Sequence, residues 1–363
     1  MTAAPDFFFR TGPSVAALLT VLLLLAGCAD KDAAIDAEAA RAAAAARAAK
    51  LAYEGEIRDW RADRVQRLTK PDGWLSLVGM HWLEVGSTRI GHAADNGTRL
   101  ATGPAHVGVL KLGKDGSLRF TPDPAAGVSV DGQPVTGEVV LASDAQPGRD
   151  ASVVGFNKGD ASFIVIRRGD RHALRVRDAL APTRTAFPGL SYFDIAPAFR
   201  EDAIFHAHPP GHTIDIVNVL SMVEPMANPG TVTFVHEGKP YTLEAVDEGD
   251  HRLFFVYADR TSGHQSYAAS RFLYAEYPDA RGHTIVDFNK GYNPPCAFTP
   301  FSTCPLPPAS NRLDLAITAG EMKPRKPADP APAAASSAAP PPDNVLPDNV
   351  LPDNVLPDNV AQR

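Results

Sequence analysis

The sequence predicts a mainly β protein, an antiparallel β-sandwich or barrel behind a short N-terminal helix. Three observations carry this expectation. Short apolar runs recur between turn residues through most of the chain beyond Gly86, the pattern of sandwiches and barrels. No long helical pattern alternates with them, so the helical crossovers that a parallel sheet needs are missing. One amphipathic stretch, Glu54 to Leu68, precedes them all.

In that stretch Ile57, Trp60, Val65 and Leu68 fall along one helical face, with Arg and Asp elsewhere. Pro71-Asp72-Gly73 then reads as a turn. Trp74-Leu75-Ser76-Leu77-Val78 and His81-Trp82-Leu83 are apolar enough for core. Val107 to Leu112 and Ser117 to Phe120 flank a Gly-Lys-Asp-Gly turn, and Val128 runs through Asp131-Gly132 to Val135 as a hairpin. Val139 to Leu141, Ser152 to Phe156, Phe163 to Arg168 and His172 to Arg177 complete a β-rich domain over 54–180. A second β-rich domain, 181–322, contains Thr231 to Val235, Tyr241 to Val246, Leu253 to Tyr257, Arg271 to Tyr277 and His283 to Asn289.

The ends of the chain read as an address. A short apolar run in residues 1–27 has the form of a secretory signal peptide. It ends in Leu25-Ala26-Gly27-Cys28, which resembles the bacterial lipobox, whose cysteine becomes a lipidated N-terminus. Ala29 after that cysteine favours the outer membrane, facing the periplasm. Residues 28–53 are Ala-rich and predict a helical spacer, because alanine is the best helix former. Residues 323–363, Pro/Ala-rich and ending in Pro-Asp-Asn-Val-Leu repeats, have too little apolar surface to offset the entropy of ordering.

A formal charge of −7 argues against a nucleic-acid partner. With Cys28 taken by lipid, Cys296 and Cys304 remain. In an exported protein an even pair reads as a disulfide, with a metal or redox pair as the alternative.

Asp287-Phe288-Asn289, Tyr292-Asn293-Pro294-Pro295-Cys296-Ala297-Phe298 and Cys304-Pro305-Leu306-Pro307-Pro308 together resemble the family called domain of unknown function 1684. The likeness extends from Gly73-Trp74-Leu75-Ser76-Leu77 through Leu174-Arg175-Val176-Arg177-Asp178 to Ala319-Gly320-Glu321, nearly all of residues 58 to 322. It implies no reaction. Where the family reads Thr-Tyr-Gly-x-Gly-Arg, this chain has Ser266-Tyr267-Ala268-Ala269-Ser270-Arg271, which argues against close backbone approach by a ligand there. In the first half, Thr88-Arg89-Ile90-Gly91, Asn96, His106 and Val130-Asp131-Gly132 are similar to the skeleton of a forkhead-associated sandwich. His92 replaces its phosphate-reading arginine, so only the fold would carry over.

Three constellations are candidates for chemistry. If the strands around Ala280 form a symmetric hairpin, Arg271 and Asp287 meet diagonally beside Asn289. Tyr292, Asn293, Asn311, Arg312 and Glu321 follow close by, and the group predicts a polar ligand pocket or, alternatively, a buried salt bridge that fixes the loop. His206, His208 and His212 are weak candidates for a metal. Arg175 and Arg177 share one face of a strand and, with Arg184, could hold an anion, or else cover an apolar edge or pair with Asp178. No metal or organic cofactor is otherwise implied, and neither a nucleophile elbow nor a phosphate loop occurs. The expected function is therefore a lipid-anchored envelope protein binding a small ligand or envelope component at that polar pocket. The alternatives are a hydrolase or lyase acting on an envelope saccharide or ester, with Asp287 or Glu321 as acid/base, and a purely structural lipoprotein.

Overall fold

A computed structural model describes residues 15–146 and 148–325. The first half of the signal segment and the repeat tail beyond Arg325 lie outside the described residues. A single helix runs Val15–Leu68, so the spacer and the amphipathic helix are one element and the short N-terminal helix is long. No Gly or Pro interrupts residues 28–54, and alanine's high propensity carries the helix across. Residues 36–52 of it are exposed throughout. Burial begins at Tyr53, whose hydroxyl donates to Asp287 at 2.9 Å, and continues through Ile57, Arg64 and Leu68. Among the described residues no helix is long and apolar enough to cross a membrane.

The rest is mainly β, with open sheets rather than a closed barrel. Leu77–Leu83, Arg171–Asp178, Ala161–Arg168, Val154–Phe156, Ser129–Val130 and Gln133–Pro134 form one sheet in that order. Thr98–Arg99, Gly86–Gly91, Gly108–Leu112, Leu118–Pro122 and Val139–Leu141 form another, antiparallel except for its first pair. Their inward side chains, including Ile90, Leu110, Phe120, Phe163, Leu174 and Val176, make one core. Strict alternation sends these residues inward and their neighbours out.

In the second half Lys239–Glu244, Gly230–His236, Arg200–Ala207 and His283–Asp287 form an antiparallel sheet. Arg252–Tyr257 pairs with Arg271–Glu276, and Thr213–Val217 with Val223–Ala227. A core of Phe234, Phe255, Tyr257, Leu273, Phe288 and Ile317 lies between them. The hairpin expected around Ala280 is not a ladder. Asp279 closes its own tight turn, accepting from the backbone N–H groups of Arg281 and His283, while the flanking strands pair outward into different sheets. The strands Arg200–Ala207, Thr213–Val217 and Val223–Ala227 were not foreseen. The first carries four charged or imidazole side chains in eight residues, and the last holds Pro225.

Candidate functional site

The polar residues singled out from sequence are nearly all interior, and they bond to one another or to backbone. Arg271 does not reach Asp287. Its guanidinium binds the Asp259 carboxylate at 2.5 Å and the carbonyls of Ile317 and Ala319. Asp287 instead accepts from Tyr53 and from the backbone and side-chain amides of Asn289. Asn289 also bridges both backbone groups of Ala196, and Asn311 bonds Glu244 and Val256. Arg312 is exposed. Glu321 accepts from Arg64 Nε at 2.9 Å and from the Asn293 N–H at 2.8 Å. Burial pushes the Glu321 carboxyl above its ordinary range, against the pull of Arg64. These carboxylates brace the fold rather than face a cleft.

Tyr292 does reach a cleft, and it leads to a different site. Arg64 also donates to the Asn293 carbonyl at 2.9 Å and lies 4.6 Å over the Tyr292 ring. Tyr292, Asn293 and Glu321 thus hold Arg64 at the wall of an open cleft of about 1090 Å³. The helix contributes Trp60, Arg64 and Arg67, and the turn after it Lys70, Asp72 and Trp74. Arg168, Arg175 and Arg177 form the floor, from two adjacent strands of the first sheet. The pair Arg252–Tyr257 and Arg271–Glu276 supplies Arg252, Phe254, Phe272 and Tyr274. The hairpin Thr213–Val217/Val223–Ala227 and the loop Ser302 to Pro305 close the remaining sides.

Period-2 geometry explains the floor. Leu174 and Val176 enter the first core, so Arg175 and Arg177 emerge on the opposite face. Arg175 is only 6% exposed, yet among the described residues its guanidinium makes no hydrogen bond and no ion pair, and Nε is wholly orphaned. It lies over the Trp74 ring at 5.3 Å, and Asp144 and Cys304 act on its charge only through space. Burial and the neighbouring Arg168 pull its pKa down to about 10. Arg177 is half-buried with its Nε also unpartnered. Asp178, the partner considered for both, caps a turn at Leu180 instead. Arg184 does not join them, since it donates to the carbonyls of Thr69 and Ala179.

Eight cations, Arg64, Arg67, Lys70, Arg168, Arg175, Arg177, Arg252 and Lys290, line the cleft against the carboxylates Asp72, Glu224, Glu248 and Glu276. Several are compensated by ion pairs, Arg168 with Asp144 and Lys290 with Glu56 among them. Arg175 and Arg177 are not. A basic cleft in an acidic chain concentrates anions locally.

Cys304 opens onto the same space. The expected disulfide is not formed. Cys296 and Cys304 are free thiols that approach to 3.0 Å, and the Cys296 N–H donates to Cys304 Sγ at 3.1 Å. Their hydrogen bond, helped by Ser302 and Arg175, pulls the Cys304 thiol down to about 7 and pushes Cys296 up. Among the described residues no cluster of three or more His, Cys, Asp or Glu could hold a metal ion. His208 and His212 pack with ring centroids 4.4 Å apart and planes tilted by 30°, and His208 bonds Glu244 at 3.2 Å.

Sequence reasoning missed Arg64, Asn218 and Glu224. For Arg64 a signal existed, because it falls on the line Ile57, Trp60, Arg64, Leu68 that the helix buries. Asn218 and Glu224 lie at unforeseen strands and carried none.

Residues 185–322 match the family described as Protein of unknown function (DUF1684), a narrower span than the likeness over residues 58 to 322. An uncharacterized protein of Haloarcula marismortui, solved by solution NMR, is 34% identical. The match covers 38% of this chain and 78% of that one, with a TM-score of 0.33. Rad53 in complex with AMP-PNP is 11% identical, with 61% of this chain and 50% of that chain covered and a TM-score of 0.14. No curated protein matches the chain.

Proposed function

We propose that this chain, which belongs over residues 185–322 to a family of unknown function, is a binding protein for a small anionic ligand held in the arginine-floored cleft. One observation carries the reading. Among the described residues, Arg175 is buried without a hydrogen-bond acceptor at the floor of an open cavity. Burying a guanidinium unpaired costs several kcal/mol, and a phosphate, sulfate or carboxylate would offset that cost with charge-assisted bonds. Arg177 lies on the same floor, and Arg168, already paired with Asp144, adds to its positive potential. The site is thus not the Arg271 and Asp287 cluster but the cleft that this cluster's neighbours support.

The test is thermal unfolding at low ionic strength with inorganic phosphate or sulfate. A ligand that prefers the native state raises Tm by mass action. Wild-type protein should be stabilised and Arg175→Met should not. A Tm indifferent to both anions in the wild type would overturn the reading.

The same proposal includes the address. Cys28 carries the lipid, the exposed helix segment 36–52 spaces the globular part from the membrane, and the cleft works in the cell envelope, on the outer membrane facing the periplasm. In that oxidising compartment Cys296 and Cys304 would close a disulfide. Cys28→Ser should move the protein from the membrane fraction to the soluble one. Continued sedimentation with lipid would contradict the anchor.

A further inference from the structure

The wall facing the arginine floor is the hairpin Thr213–Val217/Val223–Ala227. Ile216 lies opposite Glu224 in its register, and Asn218 is two residues beyond Ile216. Ile216, Asn218, Glu224 and Met226 therefore share one face, the one lining the cleft. Val217 and Val223 point the other way and are exposed.

Two polar groups on that wall have no partner among the described residues. Asn218 is only 5% exposed, and its Oδ1 accepts from the backbone N–H groups of Leu220 and Met222 at 2.9 and 3.1 Å. Those two bonds fix which end of the amide is oxygen, and the NH₂ end is left buried and unbonded. Glu224 Oε1 is likewise buried without a donor. An arginine would satisfy the carboxylate, yet Arg175 and Glu224 share the cleft without bonding. What remains is one free donor and one free acceptor on a wall that carries no positive charge. A hydroxyl is the group that both accepts and donates. Phosphate or sulfate alone would satisfy Asn218 and be repelled by Glu224. Aromatic side chains complete the cavity. Tyr274 stacks between Phe254 at 4.8 Å and Tyr292 at 6.3 Å, beside Trp60.

We infer that the ligand is an anionic saccharide, whose phosphate or carboxylate sits on the arginine floor and whose hydroxyls are read by Asn218 and Glu224. This rests on the anion reading and narrows it.

Isothermal titration at low ionic strength with inorganic phosphate, glucose, glucose 1-phosphate and glucuronate tests it. At least one of the two anionic sugars should bind ten times more tightly than phosphate, and whichever does so identifies the anionic group. Glucose alone should bind far more weakly than either. Glu224→Ala should cut the advantage of the anionic sugar at least fivefold while leaving phosphate binding unchanged or stronger, since a repelling charge is gone. Asn218→Ala, which removes a donor and no charge, should also weaken binding of the anionic sugar. If loss of its turn bonds unfolds that variant, Glu224→Ala, whose side chain makes no hydrogen bond among the described residues, decides alone. Equal binding of phosphate and both anionic sugars would overturn the inference and leave the anion site standing. No binding of any anion would overturn both.

Discussion

Arg271 and Asp259 form an ion pair at 2.5 Å with side-chain exposures of 1% and 0%. Asp259 also accepts from Thr261 and from the Ile317 N–H, so both carboxylate oxygens are hydrogen-bonded, while Arg271 bonds through its two terminal nitrogens. Breaking such a pair leaves a buried charge uncompensated, at about 3–5 kcal/mol. Asp259→Asn should lose stability of that order in urea denaturation. Asp287→Asn, which keeps an acceptor for Tyr53 and Asn289, should lose about 1–2 kcal/mol. A loss at Asp287 as large as that at Asp259 would contradict the assignment of partners.

Arg175 behaves oppositely. Among the described residues its Nε is buried without a partner and no carboxylate hydrogen-bonds it, so an apolar side chain of similar length removes a desolvation cost. Arg175→Met should raise the stability of the ligand-free protein by about 1 kcal/mol while abolishing stabilisation by phosphate. A strongly destabilised Arg175→Met would mean that the guanidinium serves the fold.

The thiol pair supplies a pH dependence. Cys304 is depressed from 9.0 to about 7 in the fold. Its thiolate is therefore favoured by folding, and the stability it contributes is present above pH 9 and is lost as pH falls through about 7. Cys296 is shifted upward, so its contribution is present below pH 9 and lost above it. Reduced protein should gain stability from pH 7 to 9, and Cys304→Ser should flatten that rise. Alkylation with iodoacetamide should label Cys304 first, with a midpoint near pH 7. In protein purified from the periplasm without reductant, thiol titration should find neither cysteine, and two titratable thiols would sink the proposed disulfide.

Asn311 holds three elements with one amide. It accepts from the Glu244 N–H and donates to the carbonyls of Glu244 and Val256, at 2.7 to 3.0 Å. Asn311→Ala strands three backbone groups, each costing about 1–3 kcal/mol when buried. Its Tm should fall further than that of Arg312→Ala, whose side chain is exposed. Equal shifts would show that the amide's bonds add nothing.

Local patterns decided what was legible. Leu174 and Val176 alternate with Arg175 and Arg177, and the strict period of a strand placed the arginines together on one face before any coordinates. The same period, with its turns, fixed the mainly β class. It failed for the turn at Asp279, because a tight turn joins two strands without deciding which edges they pair. The neighbours Arg252–Tyr257 and Arg200–Ala207 decided that, and with it the separation of Arg271 from Asp287.

Sequence alone determined the arginine pair, the β class and the presence of a dense polar group near Tyr292, since each is a property of neighbours along the chain. Tertiary structure decided what those groups do. Whether a buried arginine is satisfied depends on which distant carboxylate packs against it. Asp259 bonds Arg271 and Glu321 bonds Arg64, and among the described residues no carboxylate bonds Arg175. Long-range packing thus bonded most of the polar group near Tyr292 internally and left Arg175 and Arg177 on the floor of the cleft, where the proposed anion would sit.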